Sequence, residues 1–171
     1  MEITSHFADD LFDGKTVFVT GGSSGINLGI ALSFAAVGAR VGICGRTQDK
    51  LDAAQADLEE LGAEVLAAQA DVRDYDALDN AFKRTSETLG PIHTLVCGAA
   101  GNFIAPSEEL SANGFETVVD IDLNGSFNAA RAASTSFGRR AAISFSSRPG
   151  RHSHRIRRRR TAARPRRAWT T

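Results

Sequence analysis

With 171 residues, of which 42% are hydrophobic, the chain is long enough for one domain with a sizeable core and too short for a second. Its 20 basic and 20 acidic residues balance, and its two cysteines are too few for a disulfide framework. The acidic segment at residues 1–10 does not resemble a signal peptide, and no apolar run in the sequence reaches membrane-spanning length. We therefore expect a cytoplasmic protein with no membrane partner and no metal site.

Two kinds of segment alternate along the chain: short apolar runs rich in Val and Ile, and longer runs with helical periodicity. The short runs predict five strands, at residues 15–20, 40–45, 64–69, 92–98 and 141–146. The longer runs predict four helices, at residues 25–38, 48–61, 75–89 and 112–137. This alternation predicts βαβ crossovers and an α/β fold, a Rossmann-type doubly wound parallel sheet. The pattern stops at Ser147, so we expect a domain at residues 1–146, incomplete after its fifth strand, and a tail at residues 147–171.

A glycine-rich turn, T-G-G-S-S-G-I-N at residues 20–27, connects the first predicted strand to the first predicted helix. Glycines permit a tight turn and close approach of a pyrophosphate, and the helix N-terminus offers N–H groups and the positive end of a dipole. The alternative is a glycine-rich turn without a ligand. A turn between a predicted strand and a predicted helix is, however, the context that favours the dinucleotide site. The turn predicts a dinucleotide phosphate site formed by Gly21, Ser23, Ser24, Gly25 and Ile26.

The residue after the second predicted strand bears on which nicotinamide dinucleotide is bound. Folds that prefer NAD usually place an acid there for the ribose hydroxyls, whereas an arginine suits a 2′-phosphate. Here the residue is Arg46, and the first acid is Asp49. We interpret Arg46 as a ligand of NADP(H); the alternative is a solvated surface arginine.

Four segments resemble the short-chain dehydrogenase/reductase family in order and spacing: TGGSSGI (20–26), ADVRD (70–74), LVCGAAGNF (95–103) and DIDLNGSFN (120–128). The last two look most like the 2,4-dienoyl-CoA reductase branch, and the resemblance covers residues 11–146. It implies hydride transfer from NADPH to an unsaturated acyl thioester, an acyl-CoA-like substrate. A 3-oxoacyl thioester reductase of the same family is the near alternative.

The resemblance also implies roles for individual residues. It implies adenine contacts from Asp71 and Val72, further cofactor contacts from Cys97, Gly98 and Ala99, and substrate contacts from Asn102 and Phe103. The chain departs from the family's pattern in the glycine-rich turn, where Asn27 replaces the third glycine. It departs again after the fourth strand, where an Asn-Asn-Ala-Gly segment is usual and this chain has Cys97-Gly98-Ala99-Ala100-Gly101.

Asp122 stands where many family members have a catalytic asparagine in the long predicted helix, and relatives in the dienoyl reductase branch tend to have an aspartate there. On a helix it shares a mostly apolar stripe with Phe115, Val118, Val119 and Ser126. A buried unpaired charge is costly and usually acquires a partner or a shifted pKa, as is common at active sites. We interpret Asp122 as a catalytic residue that positions water or an acid group; the alternative is an edge residue that reaches solvent or caps a loop.

The family's catalytic serine, tyrosine and lysine are only partly represented. Ser146 stands near the place expected for the serine, although Ser144 and Ser147 are close by. The single tyrosine, Tyr75, belongs to another predicted helix, and all lysines lie upstream, at Lys15, Lys50 and Lys83. We therefore expect little or no catalysis by this chain. We also expect no native-like homo-oligomer, because the family assembles partly through the helix after strand five.

The C-terminal part of the chain, from residue 139 through the predicted tail, differs in charge from the rest. Residues 139–171 contain 12 arginines and no acid, whereas residues 1–138 contain 8 basic and 20 acidic residues. A nucleic-acid-binding arm on a non-catalytic dinucleotide-binding protein would explain the charge, but the tail has no lysine and a single aromatic residue, Trp169. A disordered extension is also compatible. We favour an out-of-frame segment without a nucleic-acid partner, because permissive back-translation gives family-like sequence in other frames, although at two different offsets.

Overall fold

The computed structural model describes residues 7–102, 106 and 108–145, so Phe103, Ser146 and the predicted tail lie outside the described residues. The strands are β1 (Thr16–Thr20), β2 (Arg40–Gly45), β3 (Val65–Gln69), β4 (Ile92–Cys97) and β5 (Phe137–Phe145). The helices are α1 (Gly25–Ala35), α2 (Gln48–Glu59), α3 (Tyr75–Leu89), α4 (Ala112–Val119) and α5 (Gly125–Ser136). Within the described ranges, no helix combines the length and apolar character that crossing a membrane requires.

All five strands are parallel and form one sheet in the order β3-β2-β1-β4-β5. The chain adds strands outward from β1 to β3 and then returns to the other side of β1 with β4. In open sheets of this kind, ligands bind outside the carboxyl ends of the strands at the point of reversal. The predicted doubly wound parallel sheet is confirmed, and its reversal point lies between β1 and β4.

Two buried clusters, one on each face of the sheet, hold the helices against the strands. β1 is buried along its whole length, and its side chains alternate between the clusters. Phe18 packs on the face covered by α3 and α5, with its ring centroid 4.2 Å from that of Phe82. Val17 and Val19 pack on the face covered by α1 and α2. Burial on both faces fixes β1 and therefore positions the glycine-rich turn that follows it.

The predicted long helix is interrupted by a π-helical turn, Asp120–Asn124, between α4 and α5. A π turn adds a residue to the helical repeat and so changes which side chains share a face. The apolar stripe that periodicity placed around Asp122 is therefore not a single buried face. Phe115 is 60% exposed, and no residue of α4 is buried.

The fifth strand begins earlier than its apolar pattern predicts. α5 ends at Ser136, and β5 starts at once with Phe137 instead of residue 141. Phe137 pairs with Ile92 while Ala142 pairs with Thr94, so the register between β4 and β5 shifts at this point. Where the register is irregular, apolar and polar residues do not alternate regularly along the strand. The start of such a strand is therefore hard to identify from the sequence.

Candidate nucleotide-binding site

The glycine-rich turn connects β1 to α1 in the conformation that its glycines permit. Gly21 and Gly25 have φ angles of 70° and 60°, in the left-handed region that favours glycine. Ser24, the N-cap of α1, makes no side-chain hydrogen bond to the helix, and the first turn contains no acid. The first N–H groups of α1 and the positive end of its dipole are therefore available to an anion.

Thr20, the last residue of β1, ties this turn to the end of β4. Its Oγ1 accepts hydrogen bonds from the backbone N–H groups of Gly98, at 3.0 Å, and Ala99, at 3.2 Å. The same hydroxyl donates to the carbonyl oxygen of Val96 at 3.5 Å, and the Thr20 side chain is fully enclosed. Because one buried hydroxyl bonds to Val96 in β4 and to the two residues that follow the strand, the segments at the reversal point are held at a defined separation.

A cleft of about 440 Å³ opens between the glycine-rich turn, the ends of β2 and β3, and the segment after β4. Its volume is in the range of small-molecule and cofactor sites. Nine of the eleven residues predicted to bind cofactor line it: Gly21, Ser23, Ser24, Ile26, Arg46, Asp71, Val72, Gly98 and Ala99. Of the other two, Gly25 begins α1 and Cys97 is buried at the end of β4. Asn27 and Ile121 also line the cleft, although neither was predicted to do so from the sequence.

Two cations stand at the β2 end of the cleft. Arg46 follows β2, and Lys50 lines the same cleft from the start of α2. Both side chains are exposed, and among the described residues neither forms an ion pair. Arg46 was predicted from the sequence and Lys50 was not, because an exposed lysine on a helix is usually only a solvated side chain. The available signal was its position in the first turn of the helix that follows Arg46.

Asp71 lines the cleft with its carboxylate bound to Arg73. The Arg73 Nη2 lies 2.6 Å from Asp71 Oδ2, and the Arg73 backbone N–H donates to Oδ1 at 3.0 Å. The side-chain hydrogen bond from Arg73 holds the pKa of Asp71 below its ordinary value, and partial burial opposes this shift. The carboxylate therefore stays ionised near neutral pH and fixes the loop that carries Val72.

The start of α5 supports the same loop. The Asn128 side chain donates a hydrogen bond to the Val72 carbonyl oxygen at 3.1 Å. Gly125 lies against the Val72 side chain, since a Cβ added to this glycine would be 2.5 Å from Val72 Cγ2. A side chain at position 125 would push Val72 out of place, so the glycine keeps this wall of the cleft in position.

Asp122 lies in the π-helical turn and contacts the segment after β4. Its Oδ1 accepts a hydrogen bond from the backbone N–H of Gly101 at 2.8 Å, and the residue is only partly buried. The contact resembles the alternative considered from sequence, a carboxylate that holds a loop. Asn102, the next residue after Gly101, is exposed.

The remaining sequence candidates do not join this cleft. Tyr75 begins α3, where the Arg131 guanidinium carbon lies 4.8 Å from the centre of its ring in a cation–π contact between α3 and α5. Cys44 and Cys97 are buried free thiols at the ends of β2 and β4. In the part of the chain that the structure describes, no group of three His, Cys, Asp or Glu residues could hold a metal ion.

Comparison with known proteins gives a family match over most of the chain. The short chain dehydrogenase family model matches residues 15–151. The peroxisomal 2,4-dienoyl-CoA reductase of Arabidopsis thaliana is 40% identical over 129 residues, which are 75% of this chain and 43% of that protein. The chain spans less than half the length of the curated relatives it matches.

Solved structures show the same fold. The citronellol catabolism dehydrogenase AtuB of Pseudomonas aeruginosa PAO1 has a TM-score of 0.76 at 34% identity, covering 83% of this chain and 59% of that chain. A short chain dehydrogenase from Burkholderia cenocepacia J2315, in complex with NADP, has a TM-score of 0.73 at 31% identity, covering 78% and 55%. Because the family model covers most of the sequence and these structures share its sheet, the chain belongs to the short-chain dehydrogenase family.

Proposed function

We propose that the cleft binds NADP(H) and that the protein is an oxidoreductase for 2,4-dienoyl-CoA or a related unsaturated acyl thioester. The observation that carries the proposal is one cleft at the reversal point of the sheet, bounded by the glycine-rich turn, the open N-terminus of α1 and Arg46. The names of the relatives support an acyl-CoA-like substrate. We assign the dinucleotide-binding domain to residues 1–146 and leave residues 147–171 outside it.

The preference for NADP(H) over NAD(H) rests on the charge at the β2 end of the cleft. Arg46 and Lys50 both line this end, while the first acid after β2, Asp49, does not line the cleft. A 2′-phosphate would meet two cations there and no competing carboxylate from the β2 loop. The related structure in complex with NADP supports the same preference.

The cofactor supplies the hydride when it is bound, and this chain's residues bind and orient the reactants. The first N–H groups of α1 would hold the pyrophosphate. The Thr20 hydroxyl fixes the backbone of Gly98 and Ala99. Asp122 holds the segment after β4 through the Gly101 N–H. Since that segment leads to Asn102, an expected substrate contact, Asp122 is well placed to position the substrate side of the site.

We expect the 171-residue chain to bind dinucleotide but to turn over little substrate. The family's tyrosine and lysine have no counterpart beyond β5 in this sequence, because the one tyrosine lies on α3 and the last lysine is Lys83. Those residues transfer the proton and orient the nicotinamide ribose in the family. Binding without efficient turnover is therefore the expected behaviour.

Titration of the purified chain with NADPH and NADH tests the proposal. We expect NADPH to bind about a hundredfold more tightly, the effect of two additional charge-assisted contacts worth about tenfold each. Failure to bind either dinucleotide would contradict the proposed function. With substrates, a clear preference for 3-oxoacyl thioesters over 2,4-dienoyl-CoA would favour the other reductase branch. Turnover at rates usual for complete reductases would contradict the expected impairment.

Two further expectations need their own measurements. Salt-sensitive DNA binding that disappears on removal of residues 147–171 would support the nucleic-acid arm instead of an out-of-frame segment.

Cytoplasmic location stays a prediction, since several of the relatives are named as peroxisomal proteins. Localisation of a tagged chain in its own cells decides between the two compartments.

A further inference from the structure

Asn27 and Gly98 are in direct contact and both line the cleft. Asn27 is the third residue of α1, and Gly98 follows the last residue of β4. The Asn27 Nδ2 donates a hydrogen bond of 2.7 Å to the Gly98 carbonyl oxygen, and both residues line the cleft. One side-chain amide thus joins the start of the nucleotide-binding helix to the end of the neighbouring strand.

Gly98 is required because Asn27 occupies the space beside it. A Cβ added to Gly98 would lie 2.3 Å from Asn27 Oδ1 and 2.5 Å from its Cγ, distances that atoms do not adopt without bonding. Gly98 is not among the glycines with positive φ, so the requirement is one of space and not of backbone conformation. The backbone of Gly98 is also held in place, because its N–H donates to the buried Thr20 hydroxyl.

The glycine-rich turn also packs against this contact. A Cβ on Gly21 would lie 3.0 Å from Ala99 Cα and 3.2 Å from Asn27 Nδ2. The turn, the start of α1 and the segment after β4 therefore meet around a single amide. We therefore expect a change in the size of the side chain at position 27 or 98 to alter the distance between these segments of the cleft.

We propose that Asn27 is a positioning residue that sets the width of the dinucleotide cleft, and that Asn27 and Gly98 form a reciprocal pair. The two departures from the family's motifs noted in the sequence, asparagine for the third glycine and glycine in the Asn-Asn-Ala-Gly segment, are then a single exchange of one amide between two facing positions. This inference rests on the proposed function, because the width matters only if the cleft holds a dinucleotide.

Four proteins test the pair: the wild-type chain, Asn27→Gly, Gly98→Asn and the double variant. Asn113→Gly is a matched control, since Asn113 is an exposed asparagine near the start of α4. For each protein we would measure thermal unfolding without ligand and the dissociation constants of NADPH and of adenosine 2′,5′-bisphosphate. The bisphosphate lacks the nicotinamide half of the cofactor, and its 2′-phosphate would lie by Arg46 and Lys50.

We expect Asn27→Gly to weaken NADPH binding about fivefold, the effect of one lost hydrogen bond, and Gly98→Asn to weaken it by about tenfold or more through overpacking. The double variant should return to within about threefold of wild type, because the amide is restored from the other side. The dissociation constant of the bisphosphate should stay within about twofold of the wild-type value in all variants. A general loss of structure would weaken the binding of both ligands. If Gly98→Asn alone does not fold, recovery of soluble, dinucleotide-binding protein in the double variant supports the pair directly.

Outcomes that overturn the inference differ from those that overturn the proposed function. If the wild-type chain binds NADPH, and the double variant is no better than Gly98→Asn in both binding and unfolding temperature, the reciprocal pair is wrong. Equal loss of NADPH and bisphosphate binding in Asn27→Gly would also contradict a role in cleft width. If the wild-type chain binds neither dinucleotide, the proposed function fails and the positioning role fails with it.

Discussion

Asp122 and Gly101 are joined by a hydrogen bond of 2.8 Å from the Gly101 N–H to the Asp122 Oδ1. Gly101 also lies close to Ile121, since a Cβ added to this glycine would be 2.7 Å from Ile121 Cδ1. The π-helical turn and the segment after β4 therefore meet through one polar contact and one close apolar contact. Since Ile121 lines the cleft, the same fit positions part of the cleft wall.

Substitution of Asp122 tests whether its carboxylate acts as the acceptor for Gly101. Asp122→Ala leaves a partly buried N–H without its partner, so we expect a loss of about 1–2 kcal/mol in the free energy of unfolding. Asp122→Asn keeps an acceptor oxygen in the same place and should lose less than half as much. Chemical denaturation of the three proteins gives these values. Equal losses in both variants would indicate that the negative charge, and not the hydrogen bond, is what this position requires.

The two cations at the β2 end predict how the chain distinguishes the dinucleotides. Arg46→Ala and Lys50→Ala should each weaken NADPH binding by about tenfold and leave NADH within about twofold, since only NADPH carries the 2′-phosphate. Lys83→Ala is the control, because this exposed lysine of α3 pairs with Asp79 and does not line the cleft. If Lys50→Ala weakens both dinucleotides equally, Lys50 contacts a part that the two share. NADPH and NADH titrations of each variant make the comparison.

Much of the site follows from the sequence because its signals are local. The glycine-rich turn stands between a strand and a helix, and Arg46 directly follows a strand, so each residue is identified by its neighbours in the chain. The buried apolar runs of β1 and β4 likewise identify the strands at the reversal point. These elements depend on hydrophobic periodicity and backbone freedom, which are visible within a short window.

Other parts of the site were missed because they depend on residues distant in sequence. Asn27 and Gly98 each departed from a motif, and the hydrogen bond that relates them joins residues 71 positions apart in the sequence. The π-helical turn has no distinctive periodicity, so the apolar stripe drawn through Asp122 continued past the point where the helix changes. Pairing of this kind is a property of tertiary packing, and local propensity does not encode it.

Cys44 and Cys97 should be unreactive in the folded chain. Burial raises the pKa of each thiol to about 12, so only about one thiol in ten thousand is ionised at pH 8. We expect no alkylation of either cysteine by iodoacetamide under native conditions and complete alkylation of both in denaturant, measured by mass spectrometry. Rapid native labelling of Cys97 would indicate that the end of β4 opens in solution.

His93 gives the folded chain a pH dependence near neutrality. The Thr16 backbone N–H donates a hydrogen bond of 3.1 Å to His93 Nδ1, which requires the neutral ring. Burial, with smaller effects from Lys15 and Arg40, lowers the pKa of His93 below its ordinary 6.5, and a hydrogen bond with the Pro91 backbone opposes this. The unfolded chain therefore takes up a proton at a higher pH than the folded chain does.

The sign of the effect follows from that order of proton uptake. The contribution of His93 to stability is complete above pH 6.5 and is lost progressively as the pH falls towards the lower pKa of the folded state. His93→Asn offers an uncharged acceptor for the Thr16 N–H, so its unfolding free energy should change less between pH 7.5 and pH 5, a window of about one unit or more either side of the usual histidine pKa. Asp71 does not affect this comparison. Its pKa is lowered, so its contribution to stability is lost only below its ordinary pKa of 3.8. If the unfolding free energies of the two proteins change equally with pH across this window, His93 does not titrate as proposed. A steeper fall in the unfolding free energy of the wild type as the pH is lowered fits a proton that displaces the Thr16 hydrogen bond.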